Sequence, residues 1–341
     1  MILNRLFKRK KELKTVKNYF IKPKGISIEI SDKCNLKCRI CNQWKEKNDL
    51  KKLGFKDIKK LIDELSKDFK KTILEFSGPE PLTNPRLLFR SLTYSKQKGI
   101  KTAVSTNGSI ISEEIAVNLL RCSPKHISVS LDSHKPEIQD YIRNCNGLFE
   151  KNIKSLKNLI KAKKLLKSET IISVTCTITN HNSKDLIKVY DICKSLGIDS
   201  INYNAYVIDN SYFNKKGPNY ENDEFWIKKE NLPYLKDNIN KLLKLSEEEK
   251  NPIIATPSKI LKEIPNYFNK ELAFNTGLCN AGTNYFHITN FGEITICGKG
   301  PHLNIKDYKL KNILKSEDYL KTISETKKCI IPCLNNCFHL K

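Results

Sequence analysis

Apolar and polar positions along this chain follow two alternating periods. Short runs rich in β-branched residues, at 26–30, 72–76, 101–105, 126–130, 170–178 and 199–204, read as strands. Between them lie stretches with helical apolar spacing, near 56–68, 84–98, 112–121, 149–166 and 183–196. A strand followed by a helix, repeated in order, predicts a parallel sheet, because a crossover is needed to return the chain in the same direction. Six such units predict an α/β fold: a partial (β/α)6 TIM-like barrel with its chemistry at the C-terminal ends of the strands. After residue 205 the regularity breaks. Tyr206 to Asn222 is rich in Asn, Tyr, Gly and Pro and reads as a loop. Leu232–Leu245 carries a helical stripe, and 251–267, with three prolines, reads as a connection. Two short β runs, 285–289 and 293–297, joined by Asn290-Phe-Gly292, predict a hairpin, followed by a helix near 313–325.

The strand ends are where unusual residues gather. After the first strand come Cys34, Cys38 and Cys41, three thiols at C-x3-C-x2-C spacing. Ser77-Gly-Pro-Glu-Pro81 follows the second strand, Thr106-Asn-Gly108 the third, and Leu131-Asp132 the fourth. Thiolates are soft ligands that suit iron–sulfur clusters and zinc. A structural zinc site closes with four protein ligands, and here no fourth Cys or His follows for about eighty residues. On a four-iron cube, three thiolates leave one iron open to a substrate or cofactor. Gly78 permits a tight backbone turn against a ligand. Asn107-Gly108 is also a common turn pair.

Cys34, Cys38 and Cys41 resemble the signature of the radical S-adenosylmethionine (SAM) superfamily. The resemblance implies that these cysteines hold a catalytic [4Fe-4S] cluster whose fourth iron is chelated by the amino and carboxylate groups of SAM. It puts Ile40 at a hydrophobic position near the adenine. Gly78, Pro79 and Glu80 correspond to a Gly-Gly-Glu-Pro segment that contacts the SAM amino group; Pro79 replaces the second glycine and removes one N–H. Ser105, Asn107, Ser130 and Asp132 look like the family's third- and fourth-strand ends on the ribose and carboxylate side of SAM. Arg143 resembles the family arginine near the SAM carboxylate.

Five more cysteines fall in the last 63 residues: Cys279, Cys297, Cys329, Cys333 and Cys337. They bracket the hairpin and helix and predict a second metal site, for which zinc and iron–sulfur are both suitable. The arrangement is similar to the C-terminal extension called SPASM or, shortened, twitch. That resemblance implies one auxiliary [4Fe-4S] cluster, with Cys279 and Cys297 the firmest ligands and Cys333 and Cys337 favoured over Cys329. The remaining Cys122, Cys145, Cys176 and Cys193 read as packing; Cys145 falls in a loop above the barrel mouth. The domains expected are a basic extension at 1–25, the barrel core at 26–205, the last helix and connection at 206–275, and the cysteine-rich module at 276–341.

Charge and composition alter this picture little. No apolar run approaches the ~18 residues of a membrane span, and no secretory signal is evident, which predicts a cytoplasmic protein. Twelve cysteines in such a chain argue for metal ligation over disulfides. The net charge of +24 invites nucleic acid, but only seven basic residues are arginine and the lysines are spread over the helices. No specific nucleic-acid binding is expected. Residues 1–20 pair an apolar stripe with a basic face, compatible with a membrane-surface helix, although an ordinary helix over the barrel end is favoured.

By resemblance, the chain is an enzyme that cleaves SAM to a 5′-deoxyadenosyl radical, abstracts hydrogen from a substrate, and draws electrons from a reductase with flavodoxin or ferredoxin. A small-molecule, sugar or lipid-linked substrate is expected, with a peptide as the alternative; 25 N-terminal residues are too few for a dedicated peptide-binding domain. The contrasting class is a non-catalytic zinc protein that binds nucleic acid.

Overall fold

The computed structural model describes residues 21–45, 50–208, 220–249, 253–271, 279–329 and 333–334. The basic segment 1–20, most of the 206–222 loop and Cys337 lie outside the described residues. Eight strands form one sheet: β1 Gly25–Glu29, β2 Ile73–Ser77, β3 Thr102–Thr106, β4 His126–Ser130, β5 Ile171–Ile178, β6 Ser200–Ala205, β7 Tyr285–Ile288 and β8 Ile294–Thr295. Their order is β6-β5-β4-β3-β2-β1-β7-β8. The first six are parallel to their neighbours and start and end within one residue of the runs read from sequence.

Alternation along each strand sorts its side chains. Ile26, Ile28, Leu74, Phe76, Ile127 and Val129 are fully buried under the helices. The intervening positions, among them Glu75, Ser105, Ser128, Thr175 and Asn204, face the lumen and line its cavities. The covering helices include α1 Phe55–Asp68, α2 Pro85–Gln97, α3 Glu113–Arg121, α4 Pro136–Arg143, α5 Leu148–Leu166 and α6 Leu186–Leu196. In α1 the buried residues Ile58, Leu61, Ile62 and Leu65 recur at helical spacing. The Gly54 N–H donates back to Asp57 Oδ2 at 2.9 Å and fixes the start of that helix. Ser112 caps α3, its hydroxyl accepting the Ile115 N–H at 3.2 Å.

Three helical readings need correction. Helix α4, missed from sequence, is an eight-residue segment whose start is set by Pro136 at a first-turn position. The stretch read as a connection holds α8, Ser258–Phe268, which follows α7, Leu232–Glu248. Pro265 lies inside α8, yet Ile260, Leu261, Ile264, Tyr267 and Phe268 bury one face of it. That burial outweighs the lost backbone bond. The helix expected near 313–325 is two, α9 Leu310–Ile313 and α10 Glu317–Thr326; Ser316 caps the second by accepting the Tyr319 N–H at 3.2 Å.

The hairpin is where the sequence placed it, β7 against β8 in antiparallel pairing. It also joins the barrel, for β7 pairs in parallel with β1, Gly25 opposite Tyr285 and Ile28 opposite Ile288. At the other edge, Ile253 and Ala255 run along β6, with Ile201 N–H donating to Ile253 O at 2.7 Å and Ala255 N–H to Ile201 O at 2.8 Å. Among the described residues no helix is long and apolar enough to cross a membrane.

The turn after β3 is packed hard against α5. Gly108 has φ +73°, and an added Cβ would lie 2.5 Å from Val129 Cγ1 and 2.7 Å from Asn152 Nδ2. Asn152 cannot simply swing away, because its amide donates to Asn107 O at 2.7 Å and accepts from Gln139 Nε2 at 3.0 Å. Replacing Gly108 by Ala should therefore destabilise the fold by about 1–3 kcal/mol. Urea unfolding measures this; an unchanged midpoint would show the turn to be looser than described.

Candidate active site

The cysteine loop leaves β1 and closes over the C-terminal end of the sheet. Cross-loop hydrogen bonds hold it there. The Arg39 N–H donates to Ile142 O at 3.0 Å, and the Trp44 Nε1–H donates to Cys38 O at 3.2 Å. Asn107 Nδ2 donates to Asn35 Oδ1 at 2.9 Å, and Asn35 Nδ2 donates to Ser109 Oγ at 2.8 Å. Leu36, Cys38 and Leu148 form a small apolar cluster, against which Cys34, Ile40, Cys41 and Cys145 pack. Beneath the loop is a cavity of about 270 Å³.

Most of the residues singled out from sequence meet at this cavity. Cys34, Cys38 and Cys41 line it from the loop, and Gly78, Pro79 and Glu80 from the end of β2. Ser105, Asn107, Ser130 and Arg143 complete the set. Gly78 has φ +108°, and its missing Cβ lets the turn sit against Glu29, whose Cβ and Cγ would be 3.0 Å from it. Ile40 does not line the cavity; it packs on the apolar clusters.

Two buried carboxylates organise the walls. Glu80 is fully buried, and its Oε1 accepts the Leu82 N–H at 3.1 Å and the Thr106 hydroxyl at 2.8 Å. Its Oε2 accepts the Asn107 N–H at 2.7 Å. This carboxylate thus ties the end of β2 to the end of β3. Burial pushes its pKa above the usual carboxylate range, against the pull of those three donors. Asp132 is also fully buried and lies behind the cavity wall. It receives Arg143 in a two-pronged pair, Nε to Oδ2 at 2.5 Å and a terminal nitrogen to Oδ1 at 3.0 Å, and accepts the Thr177 N–H at 2.9 Å. For Arg143 burial opposes the charge, but Asp132 outweighs it and raises the guanidinium pKa. Arg143 also lies near enough to the Cys38 thiol for its charge to pull that thiol's pKa down against the larger effect of burial.

Desolvation raises the Cys34 and Cys38 pKa values. Among the described residues no three His, Cys, Asp or Glu side chains converge as a metal-holding group, and no cysteine there is in a disulfide. The donor set nevertheless suits an iron–sulfur cluster, since three soft sulfurs from one loop open on one cavity. In the C-terminal part Cys279 and Cys297 are partly buried against the main core, and Cys297 has φ +49° at the hairpin's end. Cys333 lies near enough to Tyr267 to help raise its pKa, though burial is the larger cause. Of the four cysteines read as packing, Cys122, Cys176 and Cys193 are buried in the core.

Sequence reasoning did not pick out Trp44, Ser128, Thr175 or Asn204, which also line the cavity, whereas Thr106, read at the end of the third strand, does line it. Strand alternation could have found Ser128, two residues before Ser130 on the same face. Thr175 and Asn204 needed the register of β5 and β6, which bare spacing does not give.

The comparisons with known proteins follow the same part of the chain. The AdoMet-dependent heme synthase of Methanosarcina barkeri is 23% identical over 326 residues, covering 90% of this chain and 86% of that protein. The antilisterial bacteriocin subtilosin biosynthesis protein AlbA of Bacillus subtilis is 26% identical over 301 residues, covering 87% of this chain and 58% of that protein. Among solved structures, Streptococcus suis SuiB bound to S-adenosylmethionine superimposes with a TM-score of 0.67 at 18% identity, covering 92% of this chain and 70% of SuiB. The match to SuiB is one of fold. The radical SAM superfamily model matches residues 28–193, from β1 through most of α6, and the chain accordingly carries a radical SAM domain.

Proposed function

We propose that this chain is a radical SAM enzyme acting on a small-molecule substrate, with a second, auxiliary iron–sulfur cluster in its C-terminal part. The carrying observation is the shared cavity, where Cys34, Cys38 and Cys41 face Gly78, Ser105, Asn107, Ser130 and Arg143 at the C-terminal end of a parallel sheet. When bound, a [4Fe-4S] cluster and SAM supply a 5′-deoxyadenosyl radical able to take hydrogen from an unactivated C–H bond. The three cysteines hold the cluster. Arg143, fixed by Asp132, offers a permanent positive charge to a carboxylate, and its bidentate pairing sets the plane of the guanidinium. The turn at Gly78 brings backbone groups close to an amino group, and Ser105, Asn107 and Ser130 offer hydrogen bonds to ribose hydroxyls. Leu36, Ile40 and Leu148 keep water from the loop's inner side.

Cys279 and Cys297, with two cysteines of the 329–337 group, are assigned to the auxiliary cluster. These cysteines would hold a cluster whose chemistry is to accept an electron or to bind a substrate. The electron donor is a reduced flavodoxin or ferredoxin.

The small-molecule reading is supported by the heme synthase, similar to this chain along most of both lengths. A peptide substrate is the second reading, favoured by the likeness to AlbA over 87% of this chain.

Anaerobically reconstituted protein given SAM and dithionite should form 5′-deoxyadenosine. Replacing Cys34, Cys38 or Cys41 by Ala should abolish it, and retained turnover would refute the mechanism. Cys279→Ala and Cys297→Ala should lower product formation more than SAM cleavage. Peptide, polar-metabolite and lipid fractions then separate the substrate readings by which one raises turnover. Asp132→Ala should weaken SAM binding and destabilise the fold by about 3–5 kcal/mol, because it leaves Arg143 buried and unpaired. Calorimetric SAM titration and urea unfolding together check this; loss of neither would remove Asp132 from the positioning role.

A further inference from the structure

A second cavity, of about 410 Å³, occupies the lumen at the opposite end of the strands from the cysteine loop. Gly25, Ile73, His126 and Tyr285, each the first residue of its strand, contribute to its wall. Ser105, Ser128, Thr175 and Asn204 line both cavities and form the layer between them. Ala255-Thr256-Pro257 completes the wall beside β6, where the Thr256 hydroxyl accepts the Tyr203 N–H at 2.7 Å. Barrels of this kind ordinarily fill the lumen with bulky side chains. Here small residues, Gly25, Ala103, Ser105 and Ser128 among them, leave it open.

The wall chemistry is specific. Asn202 and Asn204 face the lumen partly buried, and neither amide side chain has a hydrogen bond to any described residue, which leaves both amides open to a guest. His126 Nε2 is buried with no hydrogen-bond partner among the described residues, and burial lowers the imidazole pKa. Glu75 is fixed as an acceptor by the Ser105 hydroxyl at 2.5 Å and the Tyr285 hydroxyl at 3.2 Å. Lys24 supplies one cation to set against this carboxylate, so the cavity does not select a charged ligand. An amide donates and accepts, as an alcohol does. The Tyr285 ring and the side chain of Ala103 add apolar surface suited to C–H groups.

We propose that this lower cavity binds a neutral, polyhydroxylated small molecule of about monosaccharide size, with Asn202 and Asn204 as its recognising groups. The assignment goes beyond the SAM chemistry and stands without it, since Glu75, His126 and Asn202 line this cavity and not the upper one.

Titration calorimetry of the full chain with D-glucose and with myo-inositol tests it, with hexanoate as the acidic control. Saturable binding of at least one polyol is expected, unaffected by SAM, with hexanoate silent. Asn202→Leu removes the amide, and Ala103→Leu fills the void without touching it. Each should weaken polyol binding by about tenfold or more, the worth of one or two hydrogen bonds. The two variants alter the same space in different ways, so loss of folding in one leaves the other decisive. No polyol binding, wild-type affinity in the folded variants, equal binding of hexanoate, or competition by SAM would each overturn the assignment.

Discussion

Strand β1 is the member on which both halves of the structure lean. It is five residues long and pairs in parallel with β2 on one side and β7 on the other, so Ile28 lies opposite Phe76 and Ile288 at once. Its outward residues Ile26 and Ile28 are fully buried, and its C-terminal end runs straight into the cysteine loop. Glu29, the last residue, links three elements. Its carboxylate meets His287 Nε2 at 2.9 Å and accepts the Asn290 N–H at 3.1 Å, while its Cβ and Cγ back the Gly78 turn. One side chain, with no intervening loop, thus joins the C-terminal hairpin to the turn that lines the upper cavity.

The lumen follows from the same parallel geometry. Helices cover the outer face of the sheet and demand apolar residues at every second position. The inner face is free of that demand, and the chain spends it on hydroxyls, amides and carboxylates. Several pair across strands: Ser128 with Thr175 at 2.8 Å, Ser105 with Glu75, and Ser27 with Ser77. Such pairing offsets the desolvation each group would suffer alone. Where it is incomplete, at Asn202 and Asn204, open volume is found as well. Polarity and space coincide, which is the pattern of a lumen shaped around a guest.

How much of this was legible in sequence depends on whether the signal was local. The six barrel strands were, because alternation and β-branched runs are local and the strand length is short. The cysteine spacing and the hairpin's Asn-Phe-Gly turn were local too. Helix α8 was not, because Pro257 and Pro265 argue against a helix, and the apolar face that overrules them gains its stability only by burial. The pairing of β7 with β1 joins residues some 260 apart in a register no short pattern encodes. Glu80 shows the limit most clearly: its place beside the cavity could be read, but its use as a clamp on Thr106 and Asn107 required the fold.

Charge distribution separates the site from the surface. Lysines supply most of the +24 charge, and those in surface ion pairs, such as Lys161 with Glu113 and Lys241 with Asp237, are well exposed. Pairs of that kind contribute little and are screened by salt. Two of the seven arginines stand instead at the cysteine loop. Arg39 lies over the Tyr141 ring at 4.4 Å, and Arg143 is only 12% exposed, locked to Asp132. Both uses depend on the flat, permanently charged guanidinium, which lysine cannot reproduce. A buried ion pair adds little net stability against an apolar alternative. Holding one oriented positive charge in the cavity that the three loop cysteines line is the benefit that justifies keeping it.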